Sequence, residues 1–467
     1  MGSEWTQAKL GDYIESSLGK MLDQNKNTGE YHCYLGNSNV RWGTFELDNL
    51  SKMKFEAHEH TRYGIKKGDL IICEGGEPGR CAIWEDDIPN MKIQKALHRV
   101  RTLPGLDSEY LYYWFLFSTR SGCIEPFFTG TTIKHLTGKA LKEIPIRIPP
   151  IEYQQYGAKL LRGLDKKITH NHKINQTLEK MAQTLFKSWF VDFDPVVDNA
   201  LDAGFFEQDL AFSDELLRRV EVRKAVRESD NFKPLSEDIR RLFPNAFEEC
   251  AEPALGLGGW MPKGWMSKSI SDAIFINPKV NLAKDTVAKF VDMKALPTSG
   301  YSIEEVSEKP FSGGMKFQNN DILLARITPC LENGKTGIVD FLSENEAGFG
   351  STEFIILRGN KNIHYSYIAC LARYESFRQH VIQSMVGSSG RQRVQNGCFN
   401  DYKIAVPSGE VMNRFADIVS PSFKKLTQNT NESRSLTKLR DTLLPKLISG
   451  ELSLSDIKID IPEETLI

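Results

Sequence analysis

Apolar residues recur at heptad spacing along two stretches of the chain. In the first, Leu161, Leu164, Ile168, Asn171, Asn175, Leu178, Ala182, Leu185 and Trp189 fall on the a and d positions. In the second, 258 residues later, Val419, Ser422, Leu426, Asn429, Ser433, Leu436, Arg440, Leu443 and Leu447 fall on the same positions. Prolines bracket both: Pro149-Pro150 and Pro407 before, Pro195 after the first, Pro445 near the end of the second. The pattern predicts two long helices packed on each other. The polar seam residues Asn171, Asn175, Asn429 and Ser433 weaken such a seam but fix its register. The competing reading is an amphipathic helix packed on its own domain; the length and the recurring polar seam positions weigh against it. Elsewhere the apolar runs are short, and Leu70 to Cys73, Ile322 to Ala325 and Glu353 to Leu357 read as strands, with helices such as Glu109 to Thr119 between them.

A repeat also runs through the rest of the sequence, its offset reaching 258 only at the last pair before the helices. Trp5 to Ile14 (W-x4-L-G-D-Y-I) returns as Trp265 to Ile274 (W-x4-I-S-D-A-I). The turn before a strand at Ile65–Leu70 returns at Phe317–Ile322, matching Asp69 to Asp321. Glu77-x-Gly79-Arg80-x-x-Ile83 returns as Glu332-x-Gly334-Lys335-x-x-Ile338, Gly130-Thr131-Thr132 as Gly387-Ser388-Ser389, and Ile144-x-Ile146-x-Ile148-Pro149 as Tyr402-x-Ile404-x-Val406-Pro407. Five matches in one order predict a duplication. The expected fold class is α+β: two mixed domains in pseudo-two-fold repeat, separated by two long antiparallel coiled-coil helices. Expected boundaries are 1–150 for the first domain, 151–191 for its helix, 192–259 for an acidic linker or insertion, 260–406 for the second domain, 407–450 for its helix and 451–467 for a tail.

Composition alters this picture little, whereas the charge distribution matters more. The 467 residues carry a net charge of −2, yet 192–259 alone holds sixteen acidic and eight basic side chains. The remainder is therefore positive, most densely over 151–191 with seven basic and three acidic residues. For an independent DNA binder this is a weak footprint, so part of the attraction is expected from a partner. The eight cysteines are scattered without a C-x-x-C, which suits reduced thiols in the cytoplasm. No apolar run approaches a membrane span and Met1 to Trp5 is polar, so neither a membrane segment nor a signal peptide is expected.

Catalytic patterns are missing from the sequence. Gly334-Lys335-Thr336 looks like the tail of a phosphate-binding loop, but Pro329 stands where its first glycine belongs. There is no G-x-G-x-x-G, no Asn-Pro-Pro-aromatic and no Pro-Asp. His58-Glu59-His60 has no third metal ligand beside it, and His170 and His172 point to different helix faces. A binding module is therefore expected rather than an enzyme. The rivals are an enzyme in which the duplication supports catalysis, which would need a nucleotide or methyl-donor site, and a scaffold binding only protein. Candidate DNA contacts are polar and basic residues in matching loops: Asn37, Asn39, Arg41, Arg80, Gln94, Lys95, Thr131, Thr132, Lys134 and His135 in the first half. In the second half they are Lys294, Arg326, Lys335, Ser351, Thr352, Ser388, Ser389, Arg391, Gln392 and Arg393. Asn and Gln pair two-pronged with adenine and Arg with guanine, while Ser, Thr and Lys suit phosphates.

With these residues in view, the chain resembles the specificity subunits of type I restriction–modification enzymes. Ile146 to Gln154 (I-R-I-P-P-I-E-Y-Q) is similar to a family phrase at the start of the first long helix, with Tyr153 as a departure. Leu178 to Phe193 and Leu439 to Leu452 are similar to the ends of the family's two conserved helices, and Pro262 to Trp265 to the start of its second recognition domain. At Pro407-Ser408 the family often has a second proline. The resemblance implies a non-catalytic subunit in which each recognition domain reads half of a bipartite, asymmetric double-stranded DNA target and the helices fix the spacer. It implies docking of two adenine-methyltransferase subunits, with Phe186, Trp189, Phe190, Leu443 and Leu444 as docking residues, and nuclease–translocase subunits in the full complex. No cofactor or metal is expected in this chain; S-adenosylmethionine, ATP and Mg would serve the partners.

Overall fold

The computed structural model describes residues 5–21, 23, 27–85, 87–230, 232–250, 256–303, 305–388 and 390–452. Ser389, expected at the DNA, lies outside the described residues, as does most of the 451–467 tail. The chain divides into two compact units, one of Met1–Thr169 with Ser433–Ile467 and one of His170–Glu432. The helices α4 (Ile151–Phe190) and α12 (Gly409–Ser449) each contribute one part to either unit.

In unit 1, β1 (Thr6–Lys9) pairs antiparallel with β11 (Pro145–Ile148). A four-stranded antiparallel sheet runs in the order β2 (Ile14–Leu18), β10 (Leu97–Thr102), β7 (Leu70–Cys73), β8 (Cys81–Ile83). All four residues of β7 are buried, which is why its sequence is a continuous apolar run rather than an alternation. A second sheet orders β6 (Lys52–Phe55), β3 (Glu30–Leu35) and β9 (Lys92–Ile93), with β3 and β9 parallel. The hairpin β4 (Val40–Arg41) and β5 (Thr44–Phe45) and the short helices α1 (His60–Tyr63) and α3 (Gly138–Glu143) complete the periphery. Helix α2 (Ser108–Arg120) starts where the Asp107 carboxylate accepts the N–H groups of Glu109 and Tyr110, and it buries Leu111 and Phe115 with Leu70, Ile72 and Val100. The first part of α4 lies antiparallel to the last part of α12. Tyr153 Oη donates to the Leu447 carbonyl (3.0 Å), and the Asp165 carboxylate accepts from Arg440 (2.7 Å) and from Tyr113 Oη (2.7 Å).

Unit 2 has strand pairs and two four-stranded sheets of its own. β14 (Met266–Ser269) pairs antiparallel with β23 (Lys403–Val406), and β15 (Phe275–Ile276), β22 (Phe354–Arg358), β19 (Ile322–Ala325) and β20 (Thr336–Ile338) form an antiparallel sheet in that order. A further sheet orders β17 (Ser307–Pro310), β16 (Val287–Val291), β21 (Gly348–Gly350) and β18 (Met315–Phe317), with β16 and β21 parallel. The short helices α8 (Ile270–Ala273), α9 (Tyr365–Arg373), α10 (Glu375–Gln383) and α11 (Cys398–Asp401) flank them. An ion pair with a buried aspartate occupies the same place in the β2–β10–β7–β8 and β15–β22–β19–β20 sheets. Asp69 takes Arg101 with both oxygens (2.7 and 3.0 Å), and Asp321 takes Arg358 the same way (2.6 and 2.7 Å). One oxygen of each aspartate also accepts a backbone N–H three residues upstream, from Lys66 and Gln318.

The seam polarity takes a specific form. Within unit 2, Asn429 Nδ2 donates to Asn175 Oδ1 (2.8 Å), Asn171 Nδ2 to Glu432 Oε2 (2.8 Å) and Asn175 Nδ2 to Thr430 Oγ1 (3.3 Å). Phe190 meets Phe415 at 4.9 Å between ring centroids, so the two helix segments here also run antiparallel. Asn171, Asn429 and Ser433 are buried.

The acidic stretch, expected as a linker or an insertion, is a folded insertion. Its helices α5 (Asp194–Asp202), α6 (Asp214–Arg227) and α7 (Glu237–Arg240), with the strand pair β12 (Phe247–Glu249) and β13 (Trp260–Pro262), send Val196, Val197, Leu216, Phe243 and Trp260 into the core of unit 2. Its carboxylates are neutralised locally, Asp198 by Arg223 and Asp202 by both Arg227 and Arg240. The same core takes in Phe186, Trp189 and Phe190, while Leu444 is buried and Leu443 half-buried in unit 1. Burial of Phe186, Trp189, Phe190 and Leu444 against the chain's own elements corrects the docking role expected of them, whereas Leu443 keeps part of its side chain exposed.

Candidate nucleic-acid interface

Strands β7 and β19 each lead into a turn onto which a hairpin closes. In unit 1 the hairpin is 129–135: Thr129 and His135 exchange backbone hydrogen bonds at 2.8 Å each way, and His135 bridges to Gly75, just past β7. In unit 2 it is 386–393: Val386 and Arg393 exchange bonds at 3.0 Å, and Arg393 bridges to Ile327, just past β19. The sequence permits these closures through glycine. Gly130 and Gly387 have positive φ, and a Cβ on Gly75 would stand 2.9 Å from the His135 ring.

Around the unit 1 hairpin, Asn37 Nδ2 donates to the Gly75 carbonyl (3.0 Å), and Arg80 Nη2 donates to the Asn37 carbonyl (3.1 Å). The Gln94 side chain lies beside Gly36, in the same neighbourhood. The structure therefore brings Asn37, Arg80, Gln94 and His135 together, with Thr131, Thr132 and Lys134 exposed on the hairpin. Lys134 pairs with Glu125 at 3.2 Å, and Lys95 is exposed beside Gln94. Asn39 and Arg41 serve the loop itself. Asn39 accepts from Gly36 N–H and donates to the Glu46 carbonyl; Arg41 binds the Ser38 carbonyl and Glu46. These two bonds hold Asn39 in the loop and use one of its two amide N–H groups.

In unit 2, Arg326 receives Val394 N–H at its carbonyl and gives its own N–H to Glu353, while Thr328 and Gln392 exchange two bonds. This gathers Arg326, Gln392 and Arg393 with Ser351 and Thr352, while Ser388 and Arg391 sit exposed at the hairpin tip. Lys294 and Lys335 are tied elsewhere: Lys335 Nζ donates to the Met293 carbonyl (2.8 Å), and Lys294 pairs with Glu305 (2.9 Å). The half-buried Lys335 is thus a structural residue. Glu353, which no local pattern marks, holds the Arg393 guanidinium with both oxygens (2.7–3.0 Å), and that bond keeps its carboxyl below the ordinary range. Likewise Glu77 accepts from Arg80 and from Trp42 Nε1. Among the described residues, Asn37 Oδ1 and Arg326 Nε are buried without a hydrogen-bond partner, polar atoms left open at both sites. His58 and Glu59 do not build a metal centre with His60: Glu59 binds Lys20, and the His60 ring packs edge-on to His32.

Residues 2–180 match the family model of the type I restriction modification DNA specificity domain. The chain is 26% identical over 404 residues to the type I restriction enzyme MjaIX specificity subunit of Methanocaldococcus jannaschii, spanning 84% of this chain and 79% of that protein. It is 25% identical over 469 residues to the HindI specificity subunit of Haemophilus influenzae, spanning 96% and 100%. The crystal structure of a type I restriction–modification system S subunit from M. genitalium superposes over 95% of this chain and 96% of that one, with a TM-score of 0.53 at 16% identity, a likeness of fold. Over most of its length in sequence, and in its fold, the chain resembles the specificity subunits of type I restriction–modification systems.

Proposed function

We propose that the chain is the non-catalytic DNA-reading subunit of a type I restriction–modification complex. Each of two recognition domains, 1–150 and 260–406, reads one half of a bipartite, asymmetric duplex target through its hairpin and the loops beneath it. The pairing of α4 with α12 fixes the spacer. The observation that carries the reading is the recurrence of one hairpin at one place, the end of β7 and the end of β19, with different side chains on it. A shared scaffold bearing Thr, Lys and His in one copy and Ser, Gln and Arg in the other suits two readers of different half-sites. In this reading two methyltransferase subunits dock on the chain and nuclease–translocase subunits join them. S-adenosylmethionine, ATP and Mg belong to those partners, and the complex works in the cytoplasm. Among the described residues no helix is long and apolar enough to cross a membrane. The test is Arg391→Ala in a host expressing the chain with its cognate methyltransferase. Sequencing of methylated adenines is expected to show one half-site relaxed and the other intact; an unchanged pattern removes the unit 2 hairpin from the reading surface.

A further inference from the structure

We propose that the outer face of the β17–β16–β21–β18 sheet in unit 2 binds the phosphate backbone of duplex DNA, an inference that rests on the DNA-reading function above. One face of this sheet sends Val291 and Phe317 into a core. The other carries Phe290, Phe311 and Phe349, with Phe349 5.1 Å from each of the other two rings. Lysine covers this aromatic floor. Lys309 Nζ stands 4.0 Å from the centre of Phe290, and Lys316 Nζ stands 4.7 Å from that of Phe311 while donating to the Leu282 carbonyl. The neighbouring Lys289 and Lys294 are paired with Glu308 and Glu305, but among the described residues Lys309 and Lys316 face no carboxylate in an ion pair. A ring beneath an ammonium fixes its position and leaves its charge uncancelled. Two such charges on one sheet face complement a polyanion, and β21 leads from this face directly into Ser351 and Thr352 at the candidate interface.

The corresponding sheet of unit 1, β6–β3–β9, lacks this surface. There α1 covers the face: the His60 ring lies 4.7 Å from His32, Tyr63 lies 6.1 Å from Phe55, and Lys20 is bound to Glu59. Among the described residues at this sheet, Lys20 over Phe55 is ion-paired with Glu59 and Lys54 over Tyr31 lies on the opposite face, so the proposal is confined to the unit 2 sheet.

The experiment measures binding of the full chain, assembled with its methyltransferase partner, to duplexes with and without the target across a salt series. In Lys309→Ala/Lys316→Ala the slope of log affinity on log salt is expected to fall by about 2, at about 0.9 per lost phosphate contact. Both duplexes should weaken alike, with the preference between them kept, and Lys309→Arg/Lys316→Arg should restore the slope. Should the alanine pair fail to fold, the exposed Lys309→Gln is expected to lower the slope by about 1. An unchanged slope in folded protein overturns the proposal. An alanine variant that folds yet no longer copurifies with the methyltransferase also overturns it, marking the face as a protein surface. Wild-type protein without salt-dependent duplex binding would instead overturn the DNA-reading function itself.

Discussion

Asp321 is fully buried, with both oxygens on Arg358 and a third bond from the Gln318 N–H. Removing its carboxylate leaves a half-buried guanidinium without a counter-charge, at a cost of about 3 kcal/mol. Asp321→Ala is therefore expected to lower the urea midpoint of unit 2, and Asp321→Ala/Arg358→Leu to recover part of the loss. In unit 1, His98 Nε2 donates to the carbonyl of Leu136 (2.9 Å), the residue that follows the 129–135 hairpin. Burial holds its imidazole below the ordinary value of 6.5. Between the folded and unfolded values the unfolded chain binds the extra proton, so stability rises with pH across that window. The contribution is complete above about pH 6.5 and is lost as pH falls through the folded value. Unfolding measured from pH 7.5 downward should show this decline in the wild type and a flatter profile in His98→Gln.

At the level of elements, the seam amides are the informative feature. Asn429→Leu alone strands Asn175 without its 2.8 Å partner and should cost about 1–3 kcal/mol, seen as a lower melting temperature. Asn175→Leu/Asn429→Leu should melt above the single variant and at or above the wild type, because two apolar seam residues pack where two amides were satisfied. Heptad spacing makes both long helices legible in sequence, since Leu161, Leu426 and Leu447 sit buried where the a and d positions put them. The strands Leu70–Cys73 and Ile322–Ala325 are legible for a related reason: fully buried runs bounded by turns have few other solutions. The fate of Phe186, Trp189 and Phe190 is not. Aromatics at a helix end look alike whether they await a partner protein or pack on residues distant in the chain, as Trp189 packs on Phe243. The acidic insertion hides its structure similarly, because its carboxylates find their arginines on neighbouring helices. At the interface the repeat pointed to the hairpins, but Glu353 reaches Arg393 across 40 positions and carries no local signature.

For the whole molecule, the paired helices act as the spacer ruler in the proposed function. A heptad inserted after Gln176 alone would put Asn175 and Asn429 in register with the wrong turns beyond it and should destabilise the chain. A matching heptad after Gln428 as well restores the pairing and lengthens both helices by about 10 Å. The methylated target should then keep both half-sites and gain about three base pairs of spacer, at 3.4 Å per base pair. The most direct test of the central claim is to exchange the hairpin residues 131–135 and 388–393 separately for alanine–glycine loops, and to sequence methylated adenines in hosts carrying the cognate methyltransferase. Two independent readers predict that each exchange degrades a different half of the target and spares the other. Degradation of both halves by either exchange, or of neither, would contradict the account.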